Sequence, residues 1–141
     1  MSEEAGAMSA KAFFDSNMLI YAMVSGDSRR ERAQELVAQG GVISVQVLNE
    51  FVAVARRKMR MPWEDVIEAL EAIGILFPSP AAITVDTHEA ALKIAQGYGF
   101  SIYDALILSS ALEADCSTLY SEDLQDGQVI DKQLTIRNPF K

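Results

Sequence analysis

A chain of 141 residues, half of them hydrophobic and 23% charged, is long enough to bury a core and too apolar for a disordered segment. Its single cysteine permits neither an internal disulfide nor a cysteine-built zinc site. A net charge of −8 argues against a generic polyanion binder held by bulk charge, though not against a nucleic-acid enzyme whose carboxylates gather cations.

Residues 1–10 read as a polar, small-residue leader that is expected to be disordered, with Met8 an alternative start; residues 11–141 read as a single domain. No apolar run reaches the roughly 18 residues that span a bilayer, and no signal-peptide pattern opens the chain; the single cysteine leads to the expectation of a reducing, cytoplasmic location. Lys11 to Phe14 is a short apolar run ending at Asp15, the first expected strand. A helix follows over 17–23, capped by Asp15 or Ser16, and after Gly26 a charged amphipathic helix over 29–39 buries Ala33, Leu36 and Val37. Gly40 and Gly41 end that helix and start a second strand at Val42 and Ile43. Helical spacing of Leu48, Phe51 and Ala55 predicts a long helix from Gln46 to about Arg60. Pro62 suits the first turn of the next helix, 63–73. Residues 82–85 are a third strand, and Asp86 or Thr87 caps a helix that runs to Gly97. An almost wholly apolar helix, 102–114, follows. Residues 117–120 form a fourth strand, 124–131 a polar loop, and 133–136 an edge strand.

Strands alternating with helices predict an α/β sandwich around a mainly parallel sheet, with a site beyond the carboxyl ends of the strands. Four acids fall at the element boundaries near that end: Asp15, Glu50, Asp104 and Asp123. Each has a bland reading. Asp15 is a natural N-cap, Glu50 lies at the edge of its helix's core face, Asp104 gains from a helix dipole, and Asp123 is a loop charge beside Glu122. Asp104 in particular is expected to be largely buried, because its helix carries hardly another polar group before Ser109. Four carboxylates set in apolar sequence need a partner, and oxygen ligands suit a hard cation such as Mg²⁺ or Mn²⁺. His88 reads as a solvated or capping residue, and Cys116 as a partly buried one without a chemical role. The basic run Arg56, Arg57 and Lys58 is placed to contact phosphates, while Arg29, Arg30 and Arg32 read as a solvated face.

The segments Phe14-Asp-Ser-Asn-Met-Leu-Ile-Tyr21, Asn49-Glu50-Phe51, Ile102-Tyr-Asp-Ala-Leu-Ile107 and Leu119-Tyr-Ser-Glu-Asp123 resemble, in order and spacing, PIN-domain ribonucleases of the VapC toxin type. The likeness runs from about Lys11 to the C-terminus. It implies a three-layer α/β/α sandwich with sheet order 3-2-1-4-5, which sets the first and fourth strands side by side. It also implies an endoribonuclease dependent on Mg²⁺ or Mn²⁺, acting as a homodimeric toxin silenced by a small antitoxin. By motif, Asp15, Glu50, Asp104 and Asp123 are its catalytic acids, with Asp15, Asp104 and Asp123 on the metal and Asn17 and Ser121 in support. Glu122 is an additional acid without an assigned role. Two alternatives stand beside this reading. One is a non-catalytic module whose acidic pocket docks a basic peptide. The other is a haloacid-dehalogenase-like phosphohydrolase, which would need Asp where this chain has Asn17.

Overall fold

The structure, a computed structural model, describes residues 11–24 and 26–141; the leader expected over residues 1–10 lies outside them. In chain order the elements are β1 (Ala12–Phe14), α1 (Ser16–Met23), α2 (Arg30–Ala38), α3 (Val45–Arg57), α4 (Trp63–Leu76), α5 (Val85–Tyr98), α6 (Ile102–Glu113), β2 (Thr118–Tyr120), β3 (Val129–Ile130) and β4 (Leu134–Arg137). The α/β class expected from the alternation is the one observed.

β1 and β2 run parallel with Phe13 opposite Leu119 and Phe14 opposite Tyr120. β2 pairs in parallel with β4, and β3 pairs antiparallel with β4, giving the order β1-β2-β4-β3. On the far side of β1 the sheet thins to single parallel bridges, Phe13 to Val42 and Ser44 to Ala81. The expected order 3-2-1-4-5 therefore differs from the observed sheet at both edges. The second expected strand shrinks to the bridge at Val42, the third, expected over 82–85, forms no strand because the bridge falls at Ala81 and Val85 already opens α5, and β3 adds an unforeseen antiparallel edge inside the supposed polar loop. Pro78 and Pro80, which lack an N–H, immediately precede the Ala81 bridge and leave little ladder to form.

Gly41 permits the close approach of the second segment to β1. A Cβ there would stand 2.6 Å from the Ala12 carbonyl oxygen and 2.7 Å from the Phe14 ring. Phe13, Phe14, Phe51, Ile107 and Leu119 belong to one buried hydrophobic cluster. α6 lies deep in it, with every residue from Ala105 to Ala111 buried. Such a helix needs no amphipathic stripe, which explains its near-uniform apolar sequence.

The start of α5 differs from expectation, while α6 begins at Ile102 as expected. α5 begins at Val85, because Thr84 caps it and forms a capping box with Thr87, rather than Asp86 or Thr87 acting as the cap. α6 is capped by Ser101, whose hydroxyl accepts from the Asp104 amide at 3.1 Å. Cys116 is completely buried rather than partly so, and burial pushes its thiol up to about 11. His88 is exposed, as expected.

Candidate active site

The parallel register of β1 and β2 builds the site. It brings the two strand ends level, so the Asp15 amide donates to the Tyr120 carbonyl at 3.0 Å and Ser121 falls beside Asp15. The buried Ser121 hydroxyl donates to Asp15 Oδ2 at 2.8 Å and accepts from the amides of Asp123 and Leu124 at 3.2 and 3.3 Å. One serine thus ties the buried acid to the loop that carries the fourth acid. Asp15 also caps α1, its Oδ1 accepting from the Ser16 amide at 2.7 Å. The bland reading of Asp15 is correct, and it does not compete with a chemical one.

Asn17, in the first turn of α1, reaches the same loop. Its side-chain amide donates to Asp123 Oδ2 at 3.2 Å and to Ser121 Oγ at 3.5 Å, and its oxygen accepts from the Glu122 amide at 3.3 Å. From α3, Glu50 accepts from Ser16 Oγ at 3.4 Å and from Gln46 at 3.1 Å. Asp104 approaches from the first turn of α6. It is half-buried rather than largely buried, because the first turn of the helix emerges from the core that encloses the rest.

Electrostatics join the four acids. Burial raises Asp15 from 3.8 to about 7, against the hydrogen bonds from Ser121 and Ser16, and the charges of Glu50 and Asp123 add to the rise. Burial likewise raises Glu50, opposed by Gln46 and assisted by Asp104 and Asp123. Asp104 is raised first by burial and then by Asp123. None of the four forms an ion pair with a described Lys or Arg. Uncompensated carboxylates in this condition repel one another, and among the described residues no three ligating side chains close into a group that could hold a metal ion. The donor set still fits one. It is all oxygen, and Mg²⁺ commonly takes one or two carboxylates while keeping several of its waters. Asp15, Asp104 and Asp123 are the residues that could hold it.

Glu122, the acid without an assigned role, belongs elsewhere. It accepts from Arg29 Nη1 at 2.8 and 2.7 Å and from the Tyr21 hydroxyl. Burial would raise its carboxyl, but these bonds outweigh that and hold it below the ordinary value. Arg29 also binds Asp27 and lies over the Tyr21 ring, 4.2 Å from its centroid. The expectation that Arg29 belongs to a solvated face is therefore corrected. No local pattern announced this pairing, since the partners are 93 positions apart. Two other missed contributors did leave signals: Gln46 four residues before Glu50, and Ser101 three before Asp104.

Of the basic run, Arg56 is committed to the Met61 carbonyl at 2.7 Å and to the Trp63 ring, 4.5 Å from its centroid. Arg57 is exposed. Lys58 lines a cavity of about 330 Å³ that also reaches Asn17 and Asp123.

The PIN domain family model matches residues 12–126. No curated protein matches the chain significantly in sequence. Among solved structures, a toxin–antitoxin complex from Klebsiella pneumoniae is similar at a TM-score of 0.70 and 23% identity, covering 92% of this chain and 98% of that one. VapC20 of Mycobacterium tuberculosis, described as a sarcin-ricin loop cleaving toxin, is similar at 0.66 and 18% identity, covering 80% of this chain and 92% of its own. VapBC2 of Rickettsia felis, solved bound to a DNA fragment from its promoter, is similar at 0.64 and 18% identity over 90% and 98%. At these identities the likeness shows the fold.

Proposed function

The chain belongs to the PIN-domain family, and from that premise we propose that it is a divalent-cation-dependent endoribonuclease and the toxin of a toxin–antitoxin pair. One observation carries the reading: Asp15, Glu50, Asp104 and Asp123 share a single electrostatic neighbourhood at the ends of β1 and β2, and none of them is ion-paired with a Lys or Arg among the described residues. Asp15, Asp104 and Asp123 would hold Mg²⁺ or Mn²⁺. Such a cation, when bound, polarises the phosphodiester and acidifies water. Glu50, steadied by Gln46 and Ser16, orients the attacking water, and its raised pKa suits it to take up a proton. Asn17 and Ser121 fix Asp123 and Asp15 relative to one another. Lys58 contacts substrate phosphate, with Arg57 able to join it, whereas Arg56 is already engaged. No exposed nucleophile is needed: Cys116 is buried and Asn17 replaces the second Asp that a phosphohydrolase of the haloacid dehalogenase type would use.

The toxin role draws on two of the similar structures, one described as a toxin–antitoxin complex and one as a toxin. A homodimer, a small antitoxin partner and a cytoplasmic site of action belong to the same proposal. No helix among the described residues is long and apolar enough to cross a membrane. The test is cleavage of structured RNAs by purified protein in Mn²⁺, Mg²⁺ and EDTA, alongside Asp104→Asn. Cation-dependent cleavage lost in the variant supports the reading. Cleavage that survives in both EDTA and the variant overturns it. Antitoxin binding without any cleavage would instead favour a non-catalytic module.

A further inference from the structure

Beside Asp123 lies a cleft of about 330 Å³ between the start of α1 and the end of α3. Its lining is mixed in a way that an acid-held cation does not require. Ile20 is buried, and with Val54 and Met59 it supplies an apolar surface. Lys58, also in the lining, forms no ion pair with any described residue.

Arg29 gives the cleft a flat wall. Nε and Nη2 are engaged by Asp27, and Nη1 by both oxygens of Glu122. One face of the guanidinium rests on the Tyr21 ring, whose position is fixed in turn by an edge contact from Phe140 with centroids 5.3 Å apart. A guanidinium with its edge committed to two carboxylates offers little charge to a phosphate. What it retains, as part of the cleft lining, is a rigid plane of the kind on which unpaired bases stack.

We propose that this cleft receives one unstacked nucleobase of a single-stranded RNA segment, laid on the Arg29 guanidinium, while Lys58 holds that nucleotide's phosphate beside Asp123. The proposal rests on the nuclease reading for the chemistry at Asp123, but base capture is measurable without cleavage. A paired base cannot enter, so the cleft selects loops and unpaired ends over duplex.

The test uses RNA oligonucleotides carrying a single abasic site, walked across the cleavage position, and a parallel set carrying 2-aminopurine, whose fluorescence is quenched on stacking. Wild type should lose about tenfold or more in kcat/KM when one particular neighbouring base is missing, and little for bases further away. Val54→Phe, which fills the cleft, and Arg29→Lys, which keeps the charge but removes the plane, should cleave intact RNA more slowly. Both should then be indifferent to that abasic site, and 2-aminopurine quenching at that position should be lost in both. Equal sensitivity to the abasic site in wild type and variants overturns the proposal, provided thermal melts show the variants folded. If no RNA is cleaved, quenching that depends on Val54 and Arg29 would retain the base site and discard the nuclease. Cleavage abolished by Asp104→Asn with no base response at this cleft would do the reverse.

Discussion

Two groups of acids sit within a few residues of each other and behave in opposite ways. Asp27 and Glu122 face Arg29, and both are held below the ordinary carboxylate value, Asp27 by the hydrogen bonds of Arg29 and Glu122, against its burial, by those of the Tyr21 hydroxyl and of Arg29. Asp15, Glu50 and Asp104 face one another and Asp123, and burial raises each of them. Glu122 and Asp123 are consecutive in the chain, yet one belongs to each group. Residue type therefore says little here; the presence of a guanidinium decides whether a carboxylate is a structural tie or a charge awaiting a counter-ion.

Removing a charge from the uncompensated group should break activity first. Asp15→Asn is expected to lower RNA cleavage by at least about a hundredfold, measured as kcat/KM in Mn²⁺, because it removes a buried ligand and its charge. The same variant should raise the melting temperature in EDTA at pH 8. An amide can keep the capping bond to Ser16 without the burden of a desolvated charge.

The second prediction concerns pH. The folded Asp15 carboxyl titrates at about 7 and an ordinary one at 3.8. A native acid that holds its proton more tightly than the unfolded chain does loses stability as pH rises across that window, levelling off above 7. The loss is on the order of 4 kcal/mol. Urea unfolding in EDTA at pH 4.5 and pH 8 should show most of this loss, about 3 kcal/mol, in wild type and not in Asp15→Asn, and Mn²⁺ should offset it at pH 8. A wild-type stability unchanged between the two pH values would remove the basis for treating Asp15 as uncompensated.

Ser121→Ala should have a smaller effect on the same side of the comparison. It deletes a bond that holds the Asp15 charge down, so the acid limb of the pH–rate profile should move upward, with a stability loss of about 1–2 kcal/mol. Glu122→Gln is the control from the other group. It weakens a partly exposed tie to Arg29, should cost about 1 kcal/mol or less, and should do so equally with and without Mn²⁺. A Mn²⁺-dependent cost would place Glu122 with the metal acids after all.

Much of the site was legible because the acids stand where elements begin and end. Asp15 closes an apolar strand, Asp104 interrupts an apolar helix, and strand-helix alternation already directs such positions toward one end of a sheet. Burial was less legible: Asp104 is half-exposed because it lies where α6 leaves the core, a fact that its apolar neighbours conceal. The short edge strand β3 was missed because two residues of β-structure carry no periodicity.

Local pattern, then, determined the helices, the two central strands and the identity of the acids, since capping, spacing and apolar runs act over a few residues. Tertiary structure alone decided which charges are answered. The pairing of Arg29 with Glu122, the bond from Ser121 to Asp15 and the coupling of Glu50 to Asp104 all join parts of the chain far apart in sequence. Electrostatic and hydrogen-bond energies depend on separation in space and on exposure to water, and neither is written in the order of the residues.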